Sequence, residues 1–235
     1  MASSVIVVAE ELFASAAATW IADLIDSAID ERGECSLALC GGHTPEPVLR
    51  DLVGRTIRWA RVAVYFGDER AVPPDHPDSN FGMARRTLLD HVPVPGDRVH
   101  RMAADRTDLA AAAEDYARLL PSSLDILLLG LGPDGHTASL FPGSPVLLET
   151  GRLVVAVAPP PPPIEPQVRR MTITPPVIDA ARNVAVLVTG PDKAAVLARV
   201  LDGPPDPAAL PAQIARRGTW IVDRAAARQL HRRGF

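Results

Sequence analysis

His136 stands two residues after Asp134 in the stretch Leu127-Leu128-Leu129-Gly130-Leu131-Gly132-Pro133-Asp134-Gly135-His136-Thr137-Ala138-Ser139-Leu140-Phe141-Pro142-Gly143. An imidazole titrates near neutrality and relays protons, and a neighbouring carboxylate can fix its tautomer or contact substrate. The glycines also spell G-x-G-x-x-G (Gly130, Gly132, Gly135) after an apolar run, the form of a dinucleotide loop. Pro133 in the turn, and no acidic ribose partner in the next strand-like run, Leu153 to Val157, argue against that use. What remains is a glycine-rich loop that presents Asp134 and His136, either for proton transfer or, as with many lone loop histidines, incidentally.

Three further clusters suit anion and hydroxyl binding. In Cys40-Gly41-Gly42-His43-Thr44-Pro45, glycines precede a helix start, where free backbone N–H groups favour a phosphate. Gly-Gly at that point serves equally as a tight turn. Asp68-Glu69-Arg70, with Asp78-Ser79-Asn80 beyond a polar loop, offers carboxylates for hydroxyls and a guanidinium for phosphate, or else a solvated ion pair. Arg170 and Lys193, at separate strand and helix ends, could close around one phosphate. His76, His91, His100 and His231 have no metal-ligand spacing, so no metal site is expected, and there is neither a G-x-S-x-G elbow nor a P-loop.

The elements that must position these residues alternate in type. Apolar, β-branched runs predict strands at Val5 to Val8, Ser36 to Cys40, Arg61 to Phe66, Leu124 to Leu129, Leu153 to Val157, Arg170 to Thr174, Asn183 to Thr189 and Trp220 to Val222. Helical spacing covers Glu10 to Ile29, Pro45 to Val53, Asn80 to His91, Leu109 to Leu120, Lys193 to Leu201 and Arg224 to Leu230. This rhythm predicts an α/β fold, Rossmann-like, a mostly parallel sheet with helices on both faces. Ligands then bind beyond the carboxyl ends of the strands. Pro159 to Pro163 with Ile164-Glu165-Pro166 reads as a stiff loop, and no composition shift divides the chain, so residues 1–235 are expected to form a single domain.

The chain of 235 residues carries 24 Lys and Arg against 28 Asp and Glu, a net charge of −4 that offers no basic excess for nucleic acid. The opening Met1-Ala2-Ser3-Ser4 lacks the basic start of a signal peptide, and no apolar run is expected to approach the roughly 20 residues that span a bilayer. Cys35 and Cys40, the only cysteines, are too few for a disulfide framework. A cytoplasmic protein with reduced thiols and no membrane partner is expected.

In their order along the chain, these segments resemble the bacterial type of the glucosamine-6-phosphate isomerase/6-phosphogluconolactonase family. The resemblance rests on Gly41-Gly42-x-Thr44-Pro45, Asp68-Glu69-Arg70 with Ser79-Asn80, Gly130 to Gly143, Arg170-Met171-Thr172 and Gly190-x-x-Lys193. It implies a sugar-phosphate isomerase-like fold. It also implies hydrolysis of 6-phospho-D-glucono-1,5-lactone in the oxidative pentose phosphate pathway, without metal or organic cofactor. His136 would be the acid/base, Asp134 and Asp68 would orient it or hold sugar hydroxyls, and Asn80 would help bind substrate. Arg70, Arg170, Lys193, Thr44 and the Gly41-Gly42 amides would surround the phosphate. His43 departs from the family, which has a small hydroxyl residue after the two glycines; it is expected either to donate an N–H to the phosphate or to face solvent.

Two other readings compete. A glucosamine-6-phosphate deaminase or related isomerase of the same family places a glutamate shortly after the Asp-Gly-His loop, whereas here no acid occurs before Glu149. A non-catalytic sugar-phosphate sensor should carry a basic helix-turn-helix, and none is visible in the sequence.

Overall fold

The computed structural model describes residues 4–231, so Met1 to Ser3 of the N-terminal reading lie outside the described residues. The elements run β1 (Ser4–Val8), α1 (Phe13–Arg32), β2 (Cys35–Leu39), α2 (Pro45–Val53), β3 (Val62–Phe66), β4 (Asp68–Arg70), α3 (Asn80–Thr87), α4 (Leu109–Ala117), β5 (Ile126–Gly130), β6 (Val154–Val157), β7 (Arg170–Ile173), α5 (Pro175–Ala180), β8 (Asn183–Val188), α6 (Ala194–Asp202), β9 (Thr219–Asp223) and α7 (Arg224–Ala227). Six strands form a parallel sheet in the order β1-β9-β8-β5-β2-β3. β2 and the first four residues of β5 are buried and nearly all apolar, as central strands covered by helices must be.

From β2 the chain moves outward to β3, and from β5 it moves the opposite way to β8. The loops leaving β2 and β5 therefore diverge, and the crevice between them is where an open α/β sheet takes its ligand.

Two predicted strands do not join this sheet. β7 pairs antiparallel with β6 on one side and on the other with β4, a strand the sequence does not predict, to make a second, three-stranded sheet in the order β4-β7-β6. Gly67 alone separates β3 from β4. Its N–H donates to the Leu39 carbonyl of β2 (2.9 Å) and its carbonyl accepts from the Ile173 N–H of β7 (2.9 Å), so one residue bonds into both sheets.

The expectation about membrane-spanning length is corrected. Glu10–Arg32 is 23 residues long and apolar enough to cross a bilayer by length and composition. Here it is a core helix with a 3₁₀ first turn, burying Phe13, Ala17, Ala18, Ile21, Ile25, Ala28 and Ile29 and packing against α2 and β2. Gly33, at φ 81°, ends it in the left-handed conformation that glycine adopts without strain. Side-chain caps start the shorter helices: Ser79 Oγ accepts from Gly82 N on α3, and Asp108 and Asp223 do the same for α4 and α7. Each such cap stabilises by about 1 kcal/mol.

Candidate active site

The crevice is a cavity of about 940 Å³ lined by Gly41 to Thr44, Asp68, Arg70, Asn80, His136, Arg170 and Lys193, among others. Ten of the eleven residues singled out from sequence thus share one wall. The eleventh, Asp134, stands behind His136.

After β5 the backbone turns sharply, with Gly135 N–H donating to Gly132 O (3.1 Å) and Gly132 N–H to His136 O (2.8 Å). Gly135 sits at φ +90°. Within this turn Asp134 Oδ1 lies 2.5 Å from His136 Nδ1 and accepts the His136 backbone N–H at 3.1 Å. Burial pushes the Asp134 carboxyl up, but its bonds to the His136 ring and backbone outweigh that and hold it below its ordinary value. An ionised Asp134 requires the proton on Nδ1, which leaves Nε2 of the neutral ring as the basic nitrogen. The imidazole lies directly over Gly132, where an added Cβ would fall 2.0 Å from Nδ1.

The residues after His136 are pinned to the small sheet. Ser139, fully buried, donates from Oγ to Asp68 Oδ2 (2.6 Å), and its N–H donates to Thr172 Oγ1 (3.1 Å). Asp68 Oδ1 accepts from Asn80 Nδ2 (3.0 Å), and Asn80 packs so closely on Gly41 that a Cβ there would meet Oδ1 at 1.7 Å. Asp68 therefore ties three loops together while facing the cavity. Glu69 plays no part in the wall. It is buried and accepts from Arg70 N, Ser79 Oγ, Asn80 N and Phe81 N, anchoring the start of α3.

Arg70 and Arg170 are directly opposed across the β4–β7 pair, an arrangement of like charges that destabilises a sheet unless an anion joins them. Backbone carbonyls, which do not neutralise them, hold both: Asp78 O for Arg70 (2.6 Å), and Glu165 O (3.3 Å) and Pro166 O (3.2 Å) for Arg170. Both Nε atoms are buried without a partner among the described residues. Burial lowers the Arg170 guanidinium from its ordinary value, with Asp68 opposing and Arg70 adding to the effect. Lys193 enters from the turn after β8, fixed where Gly190 N–H donates to Asp223 Oδ2 (2.9 Å). Thr189 and Thr44 hydroxyls meet at 3.0 Å and join that turn to the Gly-Gly loop. His43 is exposed on the cavity wall.

The sequence reading missed Arg86, which lines the same cavity from α3, and the part played by Pro163 to Pro166, whose loop forms one wall. Nothing in the spacing of Arg86 marks it, whereas the proline run was visible but assigned only stiffness. Cys40 also lines the cavity, yet burial, helped by Asp68, pushes its thiol up to about 12, so it is no nucleophile. Among the described residues no three His, Cys, Asp or Glu side chains cluster as a metal site requires.

Residues 9–222 match the family of glucosamine-6-phosphate isomerases/6-phosphogluconolactonase. A 6-phosphogluconolactonase of Mycobacterium tuberculosis is 40% identical, the match covering 94% of this chain and 95% of the relative. The solved structure of 6-phosphogluconolactonase from Trypanosoma brucei superposes with a TM-score of 0.87 at 31% identity, covering 97% of this chain and 98% of that one. A monomeric glucosamine-6-phosphate deaminase superposes with a TM-score of 0.82 over 96% of this chain and 99% of its own, but at 22% identity that likeness speaks for the fold alone.

Proposed function

The chain belongs to the glucosamine-6-phosphate isomerase/6-phosphogluconolactonase family, and from that premise we propose how its cavity hydrolyses 6-phospho-D-glucono-1,5-lactone to 6-phospho-D-gluconate, a step of the oxidative pentose phosphate pathway. His136 Nε2 takes a proton from water as the water oxygen attacks the lactone carbonyl carbon. The ring carbon–oxygen bond then breaks, and the imidazolium returns the proton to the departing ring oxygen. Asp134 orients the ring and stabilises its charged form. Arg70, Arg170, Lys193, Thr44 and the Gly41-Gly42 amides take the phosphate, while Asp68 and Asn80 take sugar hydroxyls. A δ-lactone is reactive enough that no covalent nucleophile is needed.

The observation that carries this reading is the His136–Asp134 pair in a cavity that also holds two opposed guanidiniums; among the described residues neither His136 Nε2 has a hydrogen-bond partner nor either guanidinium a carboxylate partner. The deaminase alternative lacks its acid. Glu149, the first acid after the loop, spends its carboxylate on the N–H groups of Thr150, Gly151 and Arg152 and on the Arg152 guanidinium, and lies off the cavity.

We further read residues 1–235 as one functional domain acting on a small sugar-phosphate lactone without nucleic acid or membrane. The two free, buried thiols support a reducing, cytoplasmic setting. The test compares the purified chain with His136→Ala on freshly generated lactone, subtracting spontaneous hydrolysis. The expected loss is about 10²–10⁴-fold in kcat, with 6-phosphogluconate binding retained. Undiminished turnover in the folded variant excludes His136 as the acid/base, and no turnover by the parent chain returns the sensor reading.

A further inference from the structure

Phe141 is a large buried aromatic residue, 5% exposed, that lies outside the main cluster of packed apolar side chains and does not line the cavity. Its ring meets two polar groups instead. The His136 imidazole lies 4.8 Å away between centroids, tilted by 54°, and the Arg170 guanidinium carbon lies 5.5 Å from the ring centroid. We propose that Phe141 is a positioning residue that fixes the plane of the His136 imidazole, an inference that rests on the acid/base reading of His136.

Among the described residues a single side-chain hydrogen bond, from His136 Nδ1 to Asp134 Oδ1, anchors the imidazole. One bond fixes an edge and leaves the ring free to swing about it. The Gly132 backbone closes one approach and the Phe141 ring closes another. An aromatic ring suits this duty better than an aliphatic chain. Its edge and face pack against neutral imidazole, and its quadrupole also accommodates the imidazolium that forms during turnover. The plane is thus held in both protonation states. Arg170 depends on Phe141 less, because Glu165 O and Pro166 O hold its guanidinium independently. Loss of the ring should therefore reach the chemical step and spare phosphate binding.

The experiment measures kcat and KM on freshly generated 6-phosphogluconolactone, and equilibrium binding of 6-phosphogluconate, for Phe141→Leu, Phe141→Met and Phe141→Tyr. A misplaced catalytic group costs up to about 10²-fold, so the Leu and Met variants should lose roughly tenfold or more in kcat while KM and product affinity move less than about threefold. Phe141→Tyr, which keeps the ring, should return kcat to within about threefold of the parent. If Phe141→Leu does not fold, Phe141→Met decides. The proposal is overturned if the Met variant keeps parental kcat, if it loses product binding in step with kcat, or if Tyr does no better than Met. His136→Ala run in parallel separates the two levels. Full activity there defeats the acid/base reading itself, whereas its loss alongside an unaffected Met variant defeats only the role of Phe141.

Discussion

Gly132→Ala places a single methyl group where the His136 ring now lies. The new Cβ would fall 2.0 Å from Nδ1, 2.1 Å from Cε1 and 2.6 Å from Cγ. Ordinary contact between such atoms is about 3.5 Å, so the ring must retreat by roughly 1 to 1.5 Å. Gly132 is not among the glycines at positive φ, so alanine brings no backbone strain of its own there. The loop cannot easily yield instead, since its backbone is tied by Gly132 N–H to His136 O and by Gly135 N–H to Gly132 O. The ring therefore moves and its 2.5 Å contact with Asp134 is lost. A displacement of about 1 Å in a reacting group costs on the order of 10²-fold, equivalent to about 2.7 kcal/mol of barrier at 1.36 kcal/mol per decade. The assay is kcat on fresh lactone with uncatalysed decay subtracted, checked against thermal stability and 6-phosphogluconate binding, both of which should change little. A stable Gly132→Ala protein with kcat within about threefold of the parent would refute the geometry of the acid/base turn.

Other outcomes follow from the same geometry. Alanine at Arg70, Arg170 or Lys193 should raise KM for the phosphorylated lactone far more than for plain gluconolactone, because only the former presents a dianion; equal effects on both would make these cations structural. His43→Ser should remove a pH dependence of phosphate affinity between about pH 5.5 and 8 if His43 donates to the phosphate, and superimposable curves would leave it facing solvent. Asp134 is held below its ordinary carboxylate value, so the stability gained from its bond to His136 is present above the ordinary aspartate range and lost as pH falls below it. The acid limb of log kcat/KM should then have a slope no greater than one, and a slope of two would show Asp134 taking up a proton over the same range.

Much of this was legible in the residues. The six strands of the parallel sheet were placed to within two residues because fully buried strands read as apolar runs. That signal says nothing about direction, so it does not separate β6 and β7 from the parallel strands. β4 is invisible because Asp68-Glu69-Arg70 has no strand propensity and owes its form to pairing with β7. α5 is only six residues long, too short for helical spacing to mark, and Pro175 and Pro176 occupy its first turn, where a missing N–H costs no intrahelical bond. At the site, residue types suggested what could do chemistry. The opposition of Arg70 to Arg170, the engagement of Glu69 by four donors, and the place of Phe141 between a cation and the imidazole depend on how the loops fold back on the sheets, which residue type and spacing do not encode.

The residue shared at Gly67 bears on how the cavity keeps its geometry. The guanidiniums stand on the small sheet and the imidazole in the loop after a strand of the large one, and Gly67 hydrogen-bonds into both sheets. These bonds should hold the two sets of side chains at a nearly fixed separation, so that little closing motion is needed around a bound molecule. The two sheets should also open as one cooperative unit in hydrogen exchange, with the Gly67 and Ile173 amides protected alike until the whole fold gives way.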